Sequence, residues 1–415
     1  MVHFRKLSRR DFGLSSLALA SGAALPLAAG AQALQPFRIG SLNSMTGVGG
    51  PYGPYMLEAA RIAVDEVNAL GGAAGRQLVM FSEDDQTRTD AGLLATKKMI
   101  EINKVEAIIS VWSSAVCLAI MPTTDESNVI MMNTCGSPDI PKENHKGLSW
   151  IYFASNAVFA RAYAEIARRR GFKRPAVMAF NNSTFVGQAH NFRDAWEQGG
   201  GKLSSLVIYE PNQSSYRTEL NSVLATKPDV IVLGSYRPDA SILLKEWYQS
   251  GYDCKFIMPG WTANEGLIKA LGKEVLEGVL SVHHVPKEKH PAFQHLASEF
   301  RRKTGKEADM YASQAYDMVI TLALAVEAAG PSATTLDVNR KIREVTTPPG
   351  QKVTSFAEGR DALRAGKKID YDGASSDVNF GERGDAIPDF GVFEIVNGNL
   401  ELRETILGSS ISQKI

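Results

Sequence analysis

Short apolar runs alternate along most of this chain with segments whose apolar residues recur every three to four positions. Residues 37–42 predict a strand, and 57–70 a helix with Ala60, Ala63, Val64 and Val67 on one face, ended by Gly71 and Gly72. Residues 77–82 predict the next strand, with Asp84 and Asp85 at its end. A helix capped by Thr89 or Asp90 then runs to Ile102 with Leu94, Lys98 and Ile102 in step. Strands at 106–111 and 129–133 continue the series. After residue 150 the alternation restarts, with helices at 157–170, 187–198, 216–225 and 240–250. Strands at 176–180, 203–209, 229–234, 255–258 and 278–282 lie between and after them. Apolar strands separated by helices imply parallel sheets covered on both faces. The pattern therefore predicts an α/β protein with two doubly wound lobes. A long apolar helix at 312–330 belongs to neither series by order. Residues 367–388 are turn-rich, and Asn397-Gly398 between two β-rich runs predicts a terminal hairpin.

The N-terminus breaks this alternation. Arg5, Lys6, Arg9 and Arg10 precede a weakly apolar stretch, 14–29, and Ala31-Gln32-Ala33 fits a small-x-small cleavage site. These features predict an export signal over 1–33, and the arginine pair within Ser-Arg-Arg-Asp-Phe predicts the twin-arginine type. The whole chain has 45 basic and 45 acidic residues, a net charge of 0, but without 1–33 the count becomes 41 against 44. The mature protein reads as mildly acidic and periplasmic. The balance argues against nucleic acid as a partner. With 44% hydrophobic and 8% aromatic residues, disorder is excluded as the general state. Three cysteines, Cys117, Cys135 and Cys254, make no disulfide scaffold, and which of them pair is left open.

Candidate catalytic chemistry is sparse. Gly47, Gly49 and Gly53 lie where a dinucleotide fingerprint would stand, but their spacing and the long loop with Pro51 and Pro54 do not make the tight turn that a pyrophosphate needs. His283, His284, His290 and His295 cluster among prolines and lysines and read as a solvated connector rather than a metal site. Asp84 and Asp85 read as loop or cap residues before acid–base groups. No cofactor and no enzymatic activity is predicted.

One set of residues is distinctive as a series. It runs from Ile39–Gly47 through Gly53, 59–72, Gly75-Arg76, 83–85, 105–109, Ser113-Ser114, Pro122 and 133–137, then 229–236, 256–259 and Tyr316-Asp317. The series resembles the periplasmic solute-binding proteins of branched-chain amino acid ABC importers, the leucine/isoleucine/valine-binding type. The resemblance implies the type I periplasmic-binding fold, with three hinge crossings and closure on a solute between the lobes. It implies lobe 1 from 37–154 and 284–388 and lobe 2 from 155–283 and 389–407. The implied partners are a permease and an ATPase, with the binding protein a monomer. A ligand sensor built on the same two lobes is the alternative from another class.

Carried over residue by residue, the resemblance places the ligand's carboxylate at Ser113 or Ser114 and at Cys135, Gly136 and Ser137. It places cleft aromatics at Phe185 and Tyr236 from lobe 2, with Tyr52 and Trp112 on the lobe 1 side. Amino-acid binders of this family put an acid just after the strand matching 256–258, to meet the ligand's ammonium. Here that passage reads Pro259-Gly260-Trp261-Thr262, with Gly260 at the expected position. An unpaired buried ammonium is costly. Unless Asp239, Glu265 or carbonyls substitute, the expected ligand is an aromatic or aliphatic acid without the ammonium, against the alternative of an authentic branched-chain amino acid. Trp261 would face such a body, and Arg237 would add a second anion contact.

Overall fold

The computed structural model describes residues 34–412, so the expected export signal lies outside the described residues. The strands are β1 (Phe37–Asn43), β2 (Leu78–Asp84), β3 (Ala107–Val111), β4 (Ile130–Asn133) and β5 (Ser149–Ile151), then β6 (Pro175–Phe180), β7 (Ser205–Tyr209), β8 (Val230–Gly234), β9 (Lys255–Pro259) and β10 (Leu280–His284). After these come β11 (Gln351–Val353), β12 (Ile369–Tyr371), β13 (Phe390–Val396) and β14 (Asn399–Ile406). The first sheet runs β2-β1-β3-β4-β5, parallel throughout. The second runs β14-β13-β10-β9-β8-β6-β7. Its five strands β10 to β7 are parallel and repeat the winding of the first sheet, and the antiparallel hairpin β13–β14 covers its outer edge. The chain passes between the sheets after β5, after β10 and after β12.

The central strands are apolar on both faces, as burial between two helical layers demands: every residue of β3 and of β8 is buried. The out-of-order helix is Met310–Ala329. Its buried residues pack with β1, β3 and helix Gly53–Ala69 in one hydrophobic cluster, so it covers the first sheet. The β11–β12 pair belongs to that cluster too. Asn397 and Gly398 both take positive φ, the geometry of a tight type I′ hairpin.

Three expectations are corrected. Helix Thr89–Glu101 does not bury the face that Leu94 and Ile102 define; they are 72% and 71% exposed, and Gly92, Ala95, Thr96 and Met99 face inward instead. Its N-cap is Arg88, not Thr89 or Asp90. The histidine cluster is not a solvated connector. His283 and His284 end β10, and His284 is 2% exposed between Phe153, Phe159 and Phe390. His290 caps a further helix, Pro291–Thr304, whose Pro291 occupies the first turn, where proline is tolerated. Helices Thr335–Thr346 and Phe356–Arg364 also went unpredicted, having short amphipathic patterns without long apolar runs.

Candidate functional site

Parallel winding brings the carboxyl ends of the strands of both sheets to one place. The loops after β1, β3, β4, β5, β6, β8 and β9 all contribute side chains there, as does the first turn of helix Met310–Ala329. They enclose two neighbouring chambers that share part of their walls. The inner, of about 30 Å³, is lined by Trp112, Ser114, Thr134, Gly136, Phe153, Thr184, Tyr236, Trp261 and Tyr311. The outer, of about 320 Å³, is lined by Gly47, Val48, Pro51, Tyr52, Trp112, Tyr236, Arg237, Pro238 and Trp261. Trp112, Tyr236 and Trp261 are walls of both.

Of the residues expected at the site, Tyr52, Trp112, Ser114, Gly136, Tyr236 and Trp261 line these chambers. Ser113, Cys135, Ser137 and Phe185 do not. Ser113 is the N-cap of helix Ser114–Glu126 and accepts from the Val116 amide. The Cys135 thiol points back toward the Val111 and Trp112 carbonyls, 3.4 Å from each, and burial pushes it well above the usual thiol range. Ser137 donates its amide to the Ser114 hydroxyl at 3.3 Å. Phe185 is fully buried behind Tyr236, their rings 5.0 Å apart, and supports it from below. Thr134, Phe153, Thr184 and Tyr311 line the inner chamber unexpectedly. No signal in the sequence marked them: past the end of β4 the Cys135 thiol turns inward to the core, while Thr134 and the Gly136 backbone line the cleft.

The aromatic rings interlock. Tyr52 stacks on Trp112 at 5.4 Å and meets Tyr311 at 4.9 Å. Trp112 approaches Tyr236 at 6.2 Å, and Phe153 lies 5.7 Å from Trp261. Tyr52 also donates its hydroxyl to the Trp261 carbonyl at 2.5 Å, joining the loop after β1 to the loop after β9. Asn264 reinforces that link, donating to the same carbonyl at 2.9 Å. Burial pushes the Tyr236 phenol up to about 12 and raises those of Tyr52 and Tyr311, so all three stay neutral donors.

The acids placed near this site by sequence are elsewhere. Asp239 is buried and accepts from the Asn212 amide at 2.9 Å and from the Tyr216 hydroxyl. Glu265 is exposed on the outer side of helix Glu265–Leu271. Gly260 does not face the cleft at all: a Cβ there would stand 2.3 Å from the His283 ring, so no acid fits, and Trp261 is the residue that reaches inward. Gly136 makes a second close approach, its Cα facing the Asn156 amide oxygen so tightly that a Cβ would stand 2.6 Å away. Asp84 and Asp85 hold the loop after β1, accepting from the Met45 amide at 2.9 Å and the Ser44 hydroxyl at 2.7 Å. No aspartate or glutamate lines either chamber. Among the described residues no cluster of three His, Cys, Asp or Glu could hold a metal, and no helix is long and apolar enough to cross a membrane.

A wider groove of about 1060 Å³ lies beside the start of β5 and helices Thr335–Thr346 and Phe356–Arg364, lined by Trp150, Arg340, Arg343, Lys367 and neighbours. It is open and away from the carboxyl ends of the strands, so the chambers are the better candidate despite being smaller.

Comparison with known proteins agrees with this fold. The family described as periplasmic binding protein matches residues 36–398. A leucine-, isoleucine-, valine-, threonine- and alanine-binding protein of Pseudomonas aeruginosa is 22% identical over 76% of this chain and 83% of its own. A leucine binding protein from Thermotoga maritima superposes with a TM-score of 0.77 at 22% identity, over 90% of this chain and 99% of that one. An ABC transporter solute binding protein from R. palustris, in complex with benzoate, does so at 0.71 and 17%, over 89% and 96%.

Proposed function

The chain belongs to the periplasmic binding protein family, and from that premise we propose that it is the exported solute-binding component of an ABC importer, taking a small aromatic carboxylate between its lobes. In this reading residues 1–33 direct export through the twin-arginine route and are removed. The lobes, 37–154 with 284–388 and 155–283 with 389–407, close as hinged bodies on the solute. The mature monomer then delivers it to a permease and ATPase.

One observation carries the choice of ligand. Five of the nine inner-chamber residues are aromatic, the rest are Ser114, Thr134, Gly136 and Thr184, and no acid is among them. Neutral hydroxyls and amides suit a carboxylate, whereas an α-ammonium would lose its hydration with nothing charged to meet it. The benzoate complex of the R. palustris protein supports the same class. The names of the Pseudomonas aeruginosa and Thermotoga maritima relatives favour the second reading, an authentic branched-chain amino acid binder.

Titration calorimetry separates the two. Benzoate binds in the micromolar range or tighter, leucine at least about tenfold more weakly, and Ser114→Ala weakens benzoate about tenfold, the loss of one hydrogen bond to a charged group. Tight leucine binding with no response to plain aromatic acids would reverse the assignment.

A further inference from the structure

The two chambers differ in size and in chemistry, and the difference bears on the length and charge of the solute. This inference rests on the aromatic-carboxylate reading above. The inner chamber, at about 30 Å³, has room for roughly two water-sized groups, which is the size of a carboxylate head and too small for a ring. The ring must therefore lie in the outer chamber of about 320 Å³, along the faces of Trp112, Tyr236 and Trp261 that the chambers share. In the wall of the outer chamber, and absent from the inner, stands Arg237, the one charged side chain lining either.

Arg237 is exposed and, among the described residues, forms no ion pair and donates no hydrogen bond. Its guanidinium lies against Gly266, where a Cβ would stand 2.3 Å from its Nη1. Several other surface arginines are occupied: Arg169 by Glu165 and Glu404, Arg364 by Glu327, Arg403 by Glu394. Burial raises the Tyr52 phenol most; the Asp309 carboxylate adds to that rise and the Arg237 guanidinium opposes it. Asp309 is engaged in capping its helix, accepting from the Ala312 amide at 2.7 Å, and does not line the chamber. A guanidinium left free in the wall of an apolar slot is a fork for a planar anion.

We infer that the solute is an elongated aromatic dianion, with one carboxylate seated in the inner chamber among Ser114, Thr134, Gly136 and Thr184 and a second anionic group at the far end of the ring held by Arg237. Arg237 then sets specificity for length and charge, and the neutral inner chamber sets orientation.

The test compares benzene-1,4-dicarboxylate with its monomethyl ester, which carries one charge fewer and one added methyl, by calorimetry on the purified mature protein. The diacid should bind about tenfold tighter than the ester at low salt, with the ratio shrinking as salt rises. In Arg237→Gln the ratio should fall to about one, and Arg237→Lys should restore part of it. Each ratio is read within one protein, so a change in overall stability does not mimic it. A diacid no tighter than its ester, or a preference that survives in Arg237→Gln, overturns the inference while benzoate binding leaves the parent reading standing. Leucine binding with no aromatic acid bound overturns both.

Discussion

His284 brings a titratable ring into a cage of Phe153, Phe159 and Phe390, with His283 beside it and neither of its own nitrogens partnered. Burial holds its pKa well below 6.5, and the His283 ring beside it adds to the effect. The folded state thus keeps the ring neutral while the unfolded chain protonates it. The stability tied to it is complete above pH 6.5 and falls as pH drops, by about 1.4 kcal/mol for each unit. Urea midpoints taken between pH 7 and pH 5 should decline more steeply for the natural protein than for His284→Leu; parallel declines would remove His284 as the cause. At this scale the sequence was half legible. Residue types at the cleft were readable from the resemblance, and Tyr52, Trp112, Ser114, Gly136, Tyr236 and Trp261 stand there. Which of two adjacent residues faces the cleft was not, because Ser113 and Ser114, or Thr134 and Cys135, differ only in backbone direction. Gly260 shows the same limit, since only the neighbouring strand's His283 reveals that the position has no room for a side chain.

Elements were more legible than residues because strand and helix periods extend over many positions. Predicted strands fall within about two residues of those observed, and the long helix Met310–Ala329 is where its apolar run put it. Failures came where apolarity and burial part company. In helix Thr89–Glu101 the large residues Leu94 and Ile102 face water, while small Gly92 lets the helix lie close to Val116 of helix Ser114–Glu126 and Met99 fills the contact over Gly40 of the sheet. Leu94→Lys should accordingly shift the thermal midpoint by under about 1 °C, and Met99→Ala should lower stability by about 2–5 kcal/mol, read by chemical denaturation. Equal losses from the two would mean that Leu94 is packed after all.

At the scale of the whole molecule, the two windings face each other across the chambers, and Tyr52 ties them with its bond to the Trp261 carbonyl. Losing one such bond costs about 1 kcal/mol. Tyr52→Phe should therefore speed solute release about fivefold in stopped-flow tryptophan fluorescence while leaving the melting temperature of either lobe nearly unchanged. An unaltered release rate would show that closure rests on the rings alone. The two-lobe arrangement was foreseeable from the restart of the strand–helix series after residue 150. The assignment of 312–330 to the first lobe came from the resemblance, since periodicity alone cannot say which sheet a helix covers.

The placement of β13–β14 beside β10 has a consequence for the chain as it is being made. β10 ends at His284, and the strand that shields its edge begins only at Phe390. At roughly 5–20 residues per second, that edge waits about 5–20 s for its cover after it has left the ribosome. An unpaired strand edge in that interval invites pairing with another nascent chain. Both lobes wait for chain made after β10, the second the longer, and a chaperone that shields β10 would suppress that pairing until Phe390–Ile406 arrives.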